Sequence, residues 1–308
     1  MFKKIVFALT ILCFVAVASP TSVAVNKPQN VILFGWDGAQ RDHVNECLKR
    51  GELPNLQKLI DQGSCVEIDI EGDTATKAGW TQILTGYYPE VTGVYTNRNY
   101  QPIPKGLTVF ERLEELFGPD KFITVAVIGK AGNVGADAPK KTKVQQESDQ
   151  SGAGKAGMKK SQPEGKIVVE DGVEYRVVPG QPFYITKVSM DVFENGLSLD
   201  KKVGSRAIEL LEKYKSRPFF FFVHFAEVDS KGHKFGENSK ECNDALISND
   251  FWTGKIMEKV KQLGLAEKTQ FYVTADHGFN EGEKGHSFAP YVVLATNDKK
   301  VNRNGRRQ

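Results

Sequence analysis

The sequence predicts an α/β protein, a three-layer α/β/α sandwich with a mostly parallel central sheet. Two short, almost wholly apolar runs, residues 30–36 (NVILFGW) and 218–225 (PFFFFVHF), are typical of strands buried on both faces. Amphipathic helical patterns separate such runs, and this alternation indicates a parallel sheet covered by helices. A chain of 308 residues is long enough for one large domain of this kind.

Each predicted element rests on its apolar period and on the residues that end it. Gly51, Gly63 and the Gly118-Pro119 pair stop helical patterns, and β-branched and aromatic residues dominate the strand runs. The predicted strands cover residues 30–36, 65–70, 122–128, 218–225, 269–274 and 291–296. The predicted helices cover residues 41–50, 54–62, 107–116, 199–214 and 240–263.

Residues 72–86 are predicted to form a loop that leads into a short helix beginning at Thr76. The free N–H groups and positive dipole end of a helix N-terminus suit a phosphate or a developing oxyanion. Threonine is also a good N-cap, and this ordinary role stays open.

Residues 137–196 interrupt the alternation and are predicted to form an insert or cap. Lys, Gly, Ser and Gln dominate as far as Gly165, which is typical of a mobile surface loop, although the lysines could instead attract an anionic substrate. Asp171-Gly172 between two strand-like runs predicts a hairpin. The globular domain is expected to cover residues 19–308, with this one insert.

Residues 1–18 are predicted to be a cleavable signal peptide. Two lysines precede an apolar run over residues 5–17, and Ala16-Val17-Ala18 suits cleavage. The run is short for a bilayer, so we expect no stable membrane span and a secreted or periplasmic protein. The chain has 41 Lys+Arg and 38 Asp+Glu, a balance that predicts no specific nucleic-acid binding.

Six acidic and histidine side chains follow the ends of predicted strands or precede the last one. They are Asp37, Asp229, His233, Asp276, His277 and His286. Open α/β sheets bind ligands at the carboxyl edge, so we expect these side chains to converge. Taken singly, an aspartate can cap a helix and a histidine can be a core residue. Together, three carboxylates and three imidazoles predict a metal centre suited to zinc more than to calcium or magnesium.

The segment from Asp229 to His233 is expected to be a tight loop, because Gly232 and the preceding strand disfavour a helix there. A helix would have placed both side chains on one face. The other two histidines, His43 and His224, are interpreted as structural, since one falls at a helix start and the other inside a strand.

In these motifs the chain resembles the alkaline phosphatase superfamily, and in particular its type I phosphodiesterase/nucleotide pyrophosphatase branch. The matching segments are Ile32-Leu-Phe-Gly-Trp-Asp37-Gly38, Thr76 with Leu84-Thr-Gly-Tyr-Tyr-Pro-Glu90, Asp229-Ser-Lys-Gly-His233, Thr274-Ala-Asp276-His277-Gly278, and His286. They occur in the family's order across nearly the whole mature chain. The resemblance implies an alkaline phosphatase-like fold and a small phosphoester substrate.

The resemblance also implies two zinc ions and a covalent phosphothreonine on Thr76. Asn97, 21 residues further on, falls where the family has its phosphate-oxygen donor. The implied zinc ligands are Asp37, Asp276 and His277 with the Thr76 oxygen for one ion, and Asp229, His233 and His286 for the other.

Lys130 is the lysine expected at the same edge of the sheet. It resembles the lysine that phosphate-irrepressible alkaline phosphatases use there, but the arginine two residues on in those enzymes is Gly132 here. A lone lysine selects a monoester dianion less strongly than a lysine with a bidentate arginine. The resulting hypothesis is a phosphodiesterase with some phosphomonoesterase activity, and a solvated strand-end lysine is the alternative.

Other functions remain as alternatives: a phosphomonoesterase, a phosphate-transferring mutase, or an inactive metal- or phosphate-binding module. A mutase needs an acceptor site that the sequence does not show, and an inactive module predicts a broken ligand position. Sulfatases need Cys or Ser in a Cys/Ser-x-Pro-x-Arg setting, which the segment from Thr76 to Trp80 lacks. Nucleotide pyrophosphatases usually have Phe-Pro-Asn after the nucleophile, and Lys77-Ala78-Gly79 stands there instead, so a nucleotide preference is not predicted.

Overall fold

The computed structural model describes residues 29–144 and 165–301. The predicted signal peptide, the core of the lysine-rich loop and the end of the basic tail lie outside the described residues. The strands are β1 (Asn30–Trp36), β2 (Ser64–Asp69), β3 (Ile123–Ile128), β4 (Lys140–Lys143), β5 (Lys166–Glu170), β6 (Val173–Val178), β7 (Val192–Asn195), β8 (Phe219–Phe225), β9 (Thr269–Thr274) and β10 (Tyr291–Thr296). The helices are α1 (Arg41–Lys49), α2 (Pro54–Gln62), α3 (Thr76–Thr85), α4 (Pro89–Thr92), α5 (Val109–Phe117), α6 (Asp200–Tyr214), α7 (Glu227–Phe235) and α8 (Lys240–Gln262).

The central sheet has seven strands in the order β2-β10-β9-β1-β8-β3-β7. The strands from β9 to β7 pair in parallel, and β10 runs antiparallel to both β9 and β2. The prediction of a mostly parallel sheet is confirmed.

Alternating side chains of the parallel strands β1, β3, β7 and β8 contribute to two cores, one on each face of the sheet. In β8, Phe219 and Phe221 pack with α1, α2, α6 and α8, whereas Phe220 and Phe222 pack with α3 and α5. Because a strand turns successive side chains to opposite faces, the almost unbroken phenylalanine run supplies both cores at once. The three-layer α/β/α arrangement follows from this double burial.

A second sheet, in the order β4-β6-β5, lies within the predicted insert. The predicted hairpin is confirmed, and its turn places Asp171 at φ 50° and Gly172 at φ 77°, as an Asp-Gly turn of the primed type requires. The lysines of β4, predicted as part of a surface loop, instead pair with β6. The predicted insert also contains β7, which pairs with β3 as the edge strand of the central sheet.

The predicted helices agree with the observed ones to within one or two residues at each end. α5 begins at Val109 because Thr108 caps it. The Thr108 side chain accepts a hydrogen bond from the Glu111 N–H, and the Glu111 side chain accepts one from the Thr108 N–H. The four-residue α4 was not predicted. None of the helices in the described part of the chain combines the length and apolar character that crossing a membrane requires.

Candidate active site

The carboxyl edge of the central sheet gathers the side chains that the sequence singled out. Asp37 follows β1 directly, and its carbonyl accepts a hydrogen bond from the N–H of Asp229 at 3.1 Å. Asp276 and His277 follow β9, and His286 lies on the loop that leads to β10. Residues that are far apart in the chain therefore meet at one edge of the sheet, as the parallel topology requires.

The prediction of a tight loop between Asp229 and His233 is wrong, because both residues lie on α7. One residue, Ala226, separates this helix from β8. The i,i+4 spacing puts Asp229 Oδ1 at 3.1 Å from His233 Nε2. Gly232 stays within the helix because it packs against Phe279, whose ring would lie 2.6 Å from an added Cβ. The glycine is a packing requirement and does not stop the helix.

The six side chains form two clusters, each with one potential ligand atom per residue and all such atoms within 4.8 Å of one another. We call them cluster A, which is Asp37, Asp276 and His277, and cluster B, which is Asp229, His233 and His286. The clusters adjoin, since the rings of His277 and His286 stack with centroids 3.8 Å apart. The grouping is the one that the family resemblance implied.

In each of the three aspartates, one carboxylate oxygen is anchored and the other has no hydrogen-bond partner in the described residues. The oxygens without such a partner are Oδ1 of Asp37, Oδ1 of Asp229 and Oδ2 of Asp276. The donors to the anchored oxygens are Nδ2 of Asn133 for Asp37, Nζ of Lys130 for Asp229 (2.6 Å) and the N–H of Gly38 for Asp276 (3.4 Å). Buried carboxylate oxygens that lack donors are costly unless a cation completes them.

The three histidines of the clusters are oriented in one way, with Nδ1 anchored and Nε2 facing the site. A carbonyl oxygen only accepts, so each Nδ1 carries a proton, and in a neutral ring held in this way Nε2 is the nitrogen with the lone pair. The acceptors are the carbonyls of Lys284 for His233 (2.8 Å), Gly278 for His277 (2.9 Å) and Thr74 for His286 (2.9 Å). This backbone anchoring is how metal-binding histidines are held in proteins.

The charges of the site also favour a bound cation. Burial raises the pKa of Asp276 well above its usual range, and the charges of Asp37 and Asp229 raise it further. Burial, helped by the charge of His277, lowers the pKa of His286 to about 4, so its imidazole is neutral at pH 7. Crowded carboxylates and a neutral imidazole are donors of the kind that bind zinc.

Thr76 is the first residue of α3 and lies against cluster A. Its Oγ1 is 3.1 Å from His277 Nε2, and the residue is 6% exposed. The N-cap position is held by Ala75, so Thr76 is not the ordinary cap that the sequence left open. Gly79, one turn on, lies so close to Asp276 that an added Cβ would be 2.3 Å from its carbonyl oxygen. This close approach fixes the helix against the cluster.

Asn97, which the family resemblance implies to be a phosphate-oxygen donor, lies beside the start of α3. Its Oδ1 accepts a hydrogen bond from the N–H of Lys77 at 3.0 Å, which leaves the NH2 group of the same amide for another acceptor. Lys77 is half-buried, and burial lowers the pKa of its ammonium to about 8.

Lys130 lies at the predicted edge, and its ammonium is bonded to Asp229 of cluster B. Burial lowers the pKa of Lys130, but the nearby charges of Asp229 and Asp37 outweigh it and the net pKa is raised. With one of its three N–H donors on Asp229 and its side chain 46% exposed, it keeps donors for a substrate.

Sequence reasoning missed three residues that support the clusters. Asn133 lies five residues past the end of β3 and contacts Asp37, so its position at the carboxyl edge was the available signal. His224, interpreted as structural, is fully buried with Nε2 3.3 Å from Asp37 Oδ2. Thr74 bonds to His286, and no local pattern marks it.

A comparison with known families finds one match over most of the chain. The sequence model of the family described as type I phosphodiesterase / nucleotide pyrophosphatase matches residues 31–305.

The curated proteins that are similar to this chain include two enzymes of related description. The bis(5'-adenosyl)-triphosphatase ENPP4 of Pongo abelii is 24% identical over 261 residues, covering 82% of this chain and 48% of that protein. Ectonucleotide pyrophosphatase/phosphodiesterase family member 1 of Homo sapiens is 23% identical over 285 residues, covering 88% of this chain and 26% of that protein. The chain thus spans about half, or less, of the length of these relatives.

Among solved structures, the fold matches a protein in the alkaline phosphatase superfamily from Vibrio parahaemolyticus. The TM-score is 0.52 at 15% sequence identity, covering 92% of this chain and 62% of that one. At this identity the match speaks for the fold alone, and it agrees with the predicted alkaline phosphatase-like sandwich.

Proposed function

The chain belongs to the type I phosphodiesterase / nucleotide pyrophosphatase family, and on that premise we propose that it is a two-zinc phosphodiesterase acting through a phosphothreonine on Thr76. The observation that carries the proposal is the position of Thr76 Oγ1, 3.1 Å from His277 Nε2 and beside ligand atoms that lack partners. A small phosphoester is the proposed substrate.

Cluster A and cluster B would each hold one zinc ion, with the Thr76 oxygen completing cluster A. Bound there, the two ions would supply Lewis-acid stabilisation of the transferred phosphoryl group and lower the pKa of the nucleophile. Each aspartate has one oxygen available, so each would bind its ion through that single oxygen.

The protein's own groups position the phosphoryl group. The N–H of Lys77, in the first turn of α3, is bonded to Oδ1 of Asn97 and so orients this amide. The Asn97 NH2 group and the backbone N–H of Thr76 would donate to the phosphate oxygens, where negative charge is stabilised in the transition state. Attack by Oγ1 forms the Thr76–phosphorus bond and releases the substrate's alcohol, and water then cleaves that bond.

Some phosphomonoesterase activity is part of the proposal, since Lys130 keeps ammonium donors near cluster B. A predominantly monoester-cleaving enzyme is the alternative. An inactive binding module is disfavoured, because each of the six ligand positions is filled by a residue able to bind metal. The proposed secreted or periplasmic location rests on the leader sequence alone.

The nucleophile is tested with purified mature chain on bis(4-nitrophenyl) phosphate and 4-nitrophenyl phosphate. Thr76→Ala should lose most turnover, and Thr76→Ser should retain some because it keeps the oxygen. Mass spectrometry after an acid quench should find the phosphoryl adduct on Thr76. Near-wild-type activity of Thr76→Ala, or an adduct on another residue, would refute the mechanism.

A further inference from the structure

A second cationic side chain, Lys77, lies beside the proposed phosphate site, and the mechanism above uses only its backbone. Its ammonium donates to the carbonyl oxygen of Asn97 at 3.2 Å and lies 3.9 Å from the ring centroid of Tyr100. Backbone and side chain of Lys77 thus both contact Asn97, which places the charge next to the proposed phosphate donor.

This ammonium has no carboxylate partner among the described residues. Asp137 affects it through longer-range charge alone. Lys130 is different, since Asp229 Oδ2 lies 2.6 Å from its Nζ. An ammonium has three N–H donors. Here its contacts are one carbonyl oxygen and one ring face, and neither carries the negative charge that would neutralise it. A half-buried cation of this kind is best completed by an anion.

The ring face of Tyr100 is already taken by the ammonium. Tyr100 is also 7% exposed, so it offers little surface for stacking a nucleobase. An aromatic platform for a base is therefore not what this part of the site provides. The chemistry next to Asn97 is that of a cation held over a buried ring.

We propose that Lys77 is a specificity-determining residue that binds a second anionic group of the substrate, a carboxylate or phosphate carried by the alcohol portion of the phosphodiester. This inference rests on the proposed function and narrows its substrate class. The scissile phosphate would contact Thr76 and Asn97, and the second anion would contact the Lys77 ammonium.

The test uses 4-nitrophenyl phosphodiesters of matched length whose second alcohol ends in a carboxylate, a phosphate, a methyl ester or a trimethylammonium group. In the wild type, kcat/KM should be about tenfold higher for the substrates that end in a carboxylate or a phosphate than for the one that ends in a methyl ester. A charged hydrogen bond at a half-buried site allows a preference of this size. The trimethylammonium ester should be the poorest substrate. Lys77→Met should remove the preference, and Lys77→Arg should keep most of it.

The readout is the ratio of kcat/KM between esters, which a general loss of activity does not change. Lys58→Met removes an exposed lysine of α2, on the other face of the sheet, and should keep the wild-type ratio. Equal losses on all four esters in Lys77→Met would overturn the inference, as would a larger loss on 4-nitrophenyl phosphate than on the carboxylate ester. If the wild type cleaves all four substrates at similar kcat/KM, the role of Lys77 is refuted and the proposed function stands. If it cleaves none of them, both the role of Lys77 and the proposed function are refuted.

Discussion

Thr74 holds His286 by two hydrogen bonds, one to the imidazole ring and one to the backbone of the histidine. The carbonyl oxygen of Thr74 accepts from Nδ1 of the ring at 2.9 Å, and its hydroxyl donates to the backbone carbonyl of His286. Thr74 is buried and stands two residues before Thr76. The segment that carries the proposed nucleophile therefore also fixes one member of cluster B.

Removing the Thr74 hydroxyl should weaken metal binding at cluster B. Thr74→Val keeps the shape and the carbonyl but loses the bond to the His286 backbone, and supporting contacts of this kind alter metal affinity by about tenfold or more. Zinc affinity, measured by chelator competition, should fall in Thr74→Val and stay near wild type in Thr74→Ser. Equal zinc affinity in wild type and Thr74→Val would show that the Thr74 hydroxyl does not support zinc binding through His286.

The two clusters should each account for one zinc ion. Elemental analysis of purified protein should give two ions per chain in the wild type. It should give one in His233→Ala and one in Asp276→Asn, because ligands of a metal site are seldom redundant. Asp42→Asn, which removes an exposed carboxylate of α1, is the control and should bind two. Full zinc content in both ligand variants would contradict the assignment.

Lys130 should matter more for monoesters than for diesters, since a monoester dianion carries one more negative charge. In Lys130→Ala, kcat/KM for 4-nitrophenyl phosphate should fall by more than kcat/KM for bis(4-nitrophenyl) phosphate. Lys130 also holds Asp229, so some loss on both substrates is expected. A loss of the same factor on both would mean that Lys130 only anchors its aspartate, and zinc content should then fall as well.

The free energy of unfolding should fall as pH rises, because Asp200 is buried in its protonated form. It is fully buried, its Oδ1 accepts from the N–H of Ala226 at 3.0 Å, and its Oδ2 has no partner in the described residues. Burial, with the charge of Glu227, raises the pKa of Asp200 to about 8. The folded state therefore keeps a proton that the unfolded chain releases near pH 4, and this stabilisation is lost as pH rises from about 4 to about 8.

Asp200→Asn tests this linkage because it keeps an oxygen acceptor for Ala226 and cannot ionise. The free energy of unfolding in urea should drop less between pH 5 and pH 8 in Asp200→Asn than in the wild type. The difference between the two slopes has an upper limit of about 1.4 kcal/mol per pH unit. Asp42→Asn should follow the wild-type slope, and parallel curves for Asp200→Asn would refute the raised pKa.

Six strands of the central sheet and the six residues of clusters A and B could be predicted because each is marked locally. Apolar runs define the strands, and a polar residue directly after such a run, as Asp37 is after β1, indicates the carboxyl edge. α7 could not be predicted, because Gly232 is accommodated by Phe279, which lies on a distant loop. β7 is four half-buried residues, too short and too mixed for a periodic signal. The contact between Thr74 and His286 joins residues 212 apart, and no local pattern encodes it.

The order of strands has a consequence for how the protein is made. β1 pairs with β8 and β9, and Asn30 Nδ2 donates to Thr269 Oγ1 across 239 residues of chain. Cluster A needs Asp276 and His277, and cluster B needs His286, so neither exists in a nascent chain that has not reached these residues. Contacts of such long sequence separation form late and slow folding. Both clusters can therefore assemble only after translation has passed His286, and the proposed site would form as one unit.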